Sequence, residues 1–160
     1  MTRPAKTRGR TASRVAAVQA LFQSEQGPEN PETVIDQFVR HRLGDFPGTD
    51  GFEDGRAPEA EVPLFARIVR AAVRQQDTID AMLSEALPKE WPLMRIDPVL
   101  RALLRAASAE LAMTDGPPVK VVINEYLDVA AGFFTGPEPG LANAVLDRVA
   151  RLLRESATVA

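Results

Sequence analysis

Four polar side chains near the carboxy-terminal end of this sequence stand where chemistry is possible: Asn124, Glu125, Asn143 and Asp147, all set within apolar helical spacing. A polar group in such a run costs free energy unless it finds a partner or does a job. Glu125 and Asp147 could be paired carboxylates for acid/base work or for a metal. Either use requires a second histidine or a dense carboxylate cluster, and His41 is the only histidine in the chain. The alternative is a polar clamp, in which all four residues are structural and buried. Asn124 and Asn143 suit that role because an amide donates and accepts at once, tying one helix to a neighbouring backbone in a site that stays neutral. The clamp is the better reading, so no catalytic residue is assigned. The chain has no Cys, which removes thiolate metal sites, disulfides and cysteine nucleophiles, and no metal is expected. Gly136-Pro137-Glu138-Pro139-Gly140 lacks the Lys-Ser/Thr ending of a phosphate loop and reads as a turn, so no cofactor is expected either.

A second constellation is electrostatic. The net charge is -3, yet Arg3, Lys6, Arg8, Arg10 and Arg14 occur with no acidic residue before Glu25. Such a block repels itself, and with Pro4 and Gly9 it reads as a flexible arm over residues 1–10 whose natural target is phosphate oxygen. A solvated tail is the alternative. Arg10 and Arg14 lie one helical turn apart, so both guanidinium groups would leave the same edge, where planar donor forks suit phosphate and stack on bases. Phe133 and Phe134 add aromatic surface. Adjacent residues on a helix point about 100° apart, so the two rings cannot both face one core.

These groups need elements to hold them. The composition, 45% hydrophobic and 26% charged over 160 residues, is that of a globular chain. From Thr11 the sequence is Ala-rich, with Val15, Val18 and Phe22 sharing a face; Gly27-Pro28 ends that helix. Asn30-Pro31-Glu32 opens a second helix with a capping residue and a proline for the first turn. His41 falls at its end, where the helix dipole favours a cation. Residues 44–62 carry many Gly, Pro, Asp and Glu and read as an acidic loop. Helical periodicity resumes at Pro63 and is stopped by Pro88; it returns through Ile96, Leu100, Leu103, Leu104 and Leu111. Asp115-Gly116-Pro117-Pro118 is a stop followed by a start, and two further helices follow, to Phe134 and from about Pro139 to Glu155. No alternating strand pattern occurs. The expected fold is all-α, with about seven helices in two closely packed bundles over residues 11–88 and 89–160. No apolar run is long enough for a membrane span or signal-peptide core, and with no Cys a cytoplasmic location is expected.

Several strings are specific when taken in order. The run Pro118-Val119-Lys120-Val121-Val122-Ile123-Asn124-Glu125 is followed by Phe133 and then by Leu141-Ala142-Asn143-Ala144-Val145-Leu146-Asp147; Ala16-Ala17-Val18-Gln19-Ala20-Leu21-Phe22 and Leu103-Leu104-Arg105-Ala106-Ala107 precede it. The arrangement resembles the NusB family of bacterial transcription antitermination factors over nearly the whole chain except residues 44–62. Ala144 replaces the usual Gly, and Phe22 replaces a common Tyr, removing a hydroxyl. The resemblance implies an RNA-binding adaptor and not an enzyme. Its ligand would be boxA-type single-stranded RNA of ribosomal RNA leaders; its partners would be the ribosomal protein NusE and the elongating RNA polymerase, with the chain a monomer or homodimer. It implies Lys6, Arg8, Arg10, Arg14 and Lys120 as RNA-binding cations, Phe133 as a base-stacking aromatic, and Phe22 at the protein partner. Two other readings are a NusB-like RNA-binding domain in another ribosomal RNA process, and a helical protein-interaction module whose basic tail is incidental.

Overall fold

A computed structural model describes residues 5–43 and 60–159, with side chains over 8–43 and 60–156. Among the described residues the chain forms seven α-helices and no strand: α1 (Ala5–Gln26), α2 (Pro31–His41), α3 (Val62–Arg74), α4 (Gln76–Ala86), α5 (Pro98–Leu111), α6 (Val119–Phe133) and α7 (Glu138–Val159). A short 3-10 turn, Leu93–Arg95, precedes α5. The all-α expectation holds, and the local stops act as their chemistry dictates. Asn30 caps α2 by accepting the Thr33 N–H at 2.9 Å, with Pro31 in the first turn. Asp97 caps α5 in the same way, accepting from Val99 at 2.7 Å, with Pro98 behind it.

The amino-terminal end differs from expectation. Residues 5–10 belong to α1 and are not an irregular arm. Ala, Lys and Arg are good helix formers and outnumber the weaker Thr7 and Gly9, and Gly9 is buried. The buried face of α1 is also rotated from the expected one. It centres on Ala17, Val18 and Leu21, while Val15 and Phe22 flank it half-buried. Residues 44–59 of the expected acidic loop lie outside the described residues, and Val62 already starts α3.

The chain divides into two compact units, Met1–Arg70 and Ala71–Ala160. In the first, α1 packs on α2. Phe38 of α2 stacks on Phe65 of α3, with centroids 5.6 Å apart and planes 21° from parallel, and the Arg42 guanidinium sits 4.8 Å above the Phe38 ring. Arg70 grips Glu32 with two bonds of 2.9 Å, Nε to Oε2 and Nη2 to Oε1. That side-chain hydrogen bond, helped by the guanidinium charge, holds the Glu32 carboxyl below its usual range.

The break between units was expected at Pro88–Pro92 and falls instead at Arg70. α4 packs on α5 and α7, burying Ile79 and Leu83, so the proline-rich connection joins two helices of one bundle. The second unit is organised around α5, which also meets α6, α7 and the 3-10 turn. Every residue from Leu100 to Glu110 is buried, including three charges. Arg101 donates to the carbonyls of Leu93 and Ile96 at 3.2 and 3.3 Å, which fastens the 3-10 turn to α5. Arg105 clamps Asp80 of α4 by bonds of 2.9 and 2.8 Å. Tyr126 of α6 donates its hydroxyl to Glu110 at 2.9 Å, so no buried charge of α5 stands alone.

Candidate nucleic-acid interface

The residues proposed from sequence separate into two groups, one on each unit. On the first unit, α1 has no acidic residue in its first turn. Lys6 belongs to that helix, although its side chain lies outside the described residues. Arg8 and Arg10 are partly exposed. Cations at the positive end of a helix dipole do nothing for the helix and raise the potential that an anion meets there.

Arg14 does not join them. Only 2% of it is exposed, so it cannot reach a phosphate in solution, and the expectation that Arg10 and Arg14 act from one edge is corrected. Arg14 precedes Ala17, Val18 and Leu21 by three, four and seven residues and so lies on the buried face of α1 with them, while Ser13 is fully buried where α1 meets the start of α3. Phe22, the residue matched to the protein partner, is half-buried on α1.

On the second unit, α6 begins with Pro118 at its cap and no acidic residue in its first turn, and Lys120 is exposed there. Asn124 follows one turn later on the same face and is also exposed. At the other end of α6, Phe133 is 37% exposed, while Phe134 is half-buried as the chain leaves the helix. The two rings lie 6.4 Å apart and tilted by 52°; Phe133 is the last residue of α6 and Phe134 is its extended cap, at φ -129° and ψ 143°. Lys120 and Phe133 stand about 20 Å apart along the helix at 1.5 Å per residue, so they mark two ends of a strip and not one pocket.

The buried polar clamp is not what the structure contains. Asn124 and Asn143 are both exposed, Glu125 is half-buried, and Asp147 forms a surface pair with Arg151 one turn away, at 2.6 Å. Exposure removes the desolvation cost that made these residues look structural: the apolar spacing around them belongs to the buried face of each helix, and they lie on or near the other face. Asn143→Ala is therefore expected to change folding stability by no more than about 0.5 kcal/mol, which chemical denaturation would measure. A loss of several times that would restore a structural role. Among the described residues, no group of three or more His, Cys, Asp or Glu side chains could hold a metal ion.

Sequence reasoning missed Glu61, whose carboxylate lies 3.8 Å from Arg10. It also took Arg105 and Glu110 only as family-like strings, although charges within an apolar helical run were a signal for the bonds they make with Asp80 and Tyr126. Arg101 and Arg105 are i,i+4 on α5 and project to one side of it.

A model of the NusB family matches residues 11–151. The transcription antitermination protein NusB of Granulibacter bethesdensis is 68% identical over 149 residues, which is 93% of this chain and 91% of that one. Among solved structures, T. maritima NusB superposes with a TM-score of 0.69 at 26% identity, covering 94% of this chain and 93% of its own. A crystal structure of antitermination factors NusB and NusE in complex with dsRNA has the same fold, with a TM-score of 0.66 at 19% identity over 89% of this chain and 96% of that one. The helices, their order and a match that runs from α1 into α7 place this chain in the NusB family.

Proposed function

We propose that this chain is an RNA-binding transcription antitermination factor, acting with NusE on boxA-type single-stranded RNA in the cytoplasm and promoting read-through by RNA polymerase, notably on ribosomal RNA operons. The observation that carries this reading is the acid-free cationic start of α1 in a chain of net charge -3. An acidic protein concentrates Arg and Lys on one helix end at an electrostatic cost, and a polyanion offsets it. Lys6, Arg8, Arg10 and Lys120 supply phosphate contacts, Phe133 supplies a ring for an unpaired base, and Phe22 lies at the ribosomal-protein contact. The chain performs no covalent chemistry: it joins an RNA to a protein so that each contributes part of the bound surface.

The test is binding of a boxA-containing RNA, with and without NusE, against a scrambled RNA of equal length. Preference for boxA that grows with NusE is expected; equal binding to both RNAs would remove the reading. Within the same assay, replacing Arg8 and Arg10 together by Ala should weaken binding and make the logarithmic salt slope shallower by about 1.4, the value for two phosphate contacts on a single strand. An unchanged slope would place the electrostatic site elsewhere.

A further inference from the structure

The residue that faces Arg10 is not there by charge alone. Ser13, three residues along α1, is fully buried, and its hydroxyl oxygen accepts the backbone N–H of Glu61 at 2.7 Å. The same oxygen lies 2.8 Å from the Gly9 carbonyl and 2.9 Å from the Glu61 carbonyl, to either of which it can donate its single hydrogen. The Glu61 carbonyl also accepts the Phe65 N–H at 3.1 Å, the first bond of α3. Glu61 is thus fastened to α1 through its backbone, by uncharged bonds around a buried hydroxyl. Its carboxylate is left at the surface beside Arg10, because residues three apart on a helix share a face.

The ion pair itself is loose. Arg10 Nε and Glu61 Oε2 are 3.8 Å apart, beyond hydrogen-bond distance, and the two side chains are 42% and 39% exposed. A phosphate oxygen brought to the same guanidinium can approach to about 2.8 Å in a charge-assisted bond, so it outcompetes the carboxylate on geometry. The displaced carboxylate is not stranded, since it sits at the start of α3, at the positive end of that helix.

We propose that Glu61 is an internal competitor for phosphate at Arg10, a carboxylate held by the Ser13 anchor so that the α1 site is occupied until a polyanion displaces it. This rests on the reading of α1 as an RNA-facing helix. The device sets a threshold: isolated anions must compete with a tethered carboxylate, whereas an RNA strand that gains several contacts at once displaces it.

The experiment measures boxA RNA binding by fluorescence anisotropy, over a salt series, for the wild-type chain, Glu61→Gln, Arg10→Ala and the double variant, each checked for an unchanged melting temperature. Gln keeps the backbone anchor and removes only the charge. Glu61→Gln is expected to tighten binding roughly two- to five-fold, the range for releasing one exposed ion pair, and to steepen the salt slope. In the Arg10→Ala background the same change should give no gain. An equal gain in both backgrounds would mean that Glu61 acts by general repulsion and would overturn the competition, as would no gain in the wild type while Arg10→Ala still weakens binding. If Arg10→Ala alters neither affinity nor slope although boxA RNA still binds, the RNA-facing reading of α1 fails together with the proposal.

Discussion

Arg105→Ala is expected to lose about 3 to 5 kcal/mol of folding stability, enough to leave a domain of ordinary stability barely folded. Arg105 has 7% of its side chain exposed and meets Asp80, itself 25% exposed, through two bonds below 3 Å. Removing the guanidinium strands a carboxylate between α4 and α5 with its water largely excluded, and that uncompensated charge is the larger part of the cost. The comparison that isolates it is Arg105→Ala with Asp80→Ala: the double change should be less destabilising than the sum of the single ones. Chemical denaturation of the four proteins measures this. If Arg105→Ala costs less than about 1 kcal/mol, the pair is a surface ornament and α4 is held to α5 by apolar contact alone. The same measurement bears on the unit boundary, because this bond helps hold α4 in the second unit.

Phe133→Ala should instead leave folding nearly intact and lose roughly 1 to 3 kcal/mol of RNA binding, the usual cost of removing an aromatic on which a base stacks. A packed phenylalanine would behave oppositely, losing about 3 to 5 kcal/mol of stability first. With 37% of Phe133 exposed at the end of α6, the stacking outcome is the expected one, and half-buried Phe134 is the neighbour whose loss should destabilise. Two measurements on each variant, melting temperature and RNA affinity at constant salt, separate the roles. Phe133→Leu sharpens the test, because it keeps apolar bulk and removes the flat ring. A reversed pattern would exchange the two residues, and loss of stability in both without an RNA defect would end the stacking hypothesis.

The sequence by itself determined the helices, their order and the family. Helix periodicity and stop signals are local properties: a capping Asn30, a first-turn Pro31 or Pro98, and the Gly-Pro pairs act within a few residues of where they stand. The family strings were legible for the same reason, since they are ordered residues and need no contacts to be seen. The amino-terminal limit of α1 was less so: a basic block with Pro4 and Gly9 satisfies both an arm and a helix, and the difference lies in what Gly9 is buried beside.

What only the tertiary structure decided is which side of each helix is wet. Arg10 and Arg14 are equivalent in sequence, one turn apart, yet the first is at the surface and the second is 2% exposed. Asn124 and Asn143 interrupt apolar spacing as a buried clamp would, and both are in solvent. A periodic pattern specifies a buried stripe but not its edges, because the width of the stripe depends on how many neighbours a helix has. α5 meets α4, α6, α7 and the 3-10 turn, so its charges are enclosed; Arg8 and Arg10 of α1 are partly exposed and Lys120 of α6 is exposed. The Glu61–Arg10 contact belongs to the same class, joining residues 51 apart in sequence. No local rule connects them; the buried hydroxyl of Ser13 does.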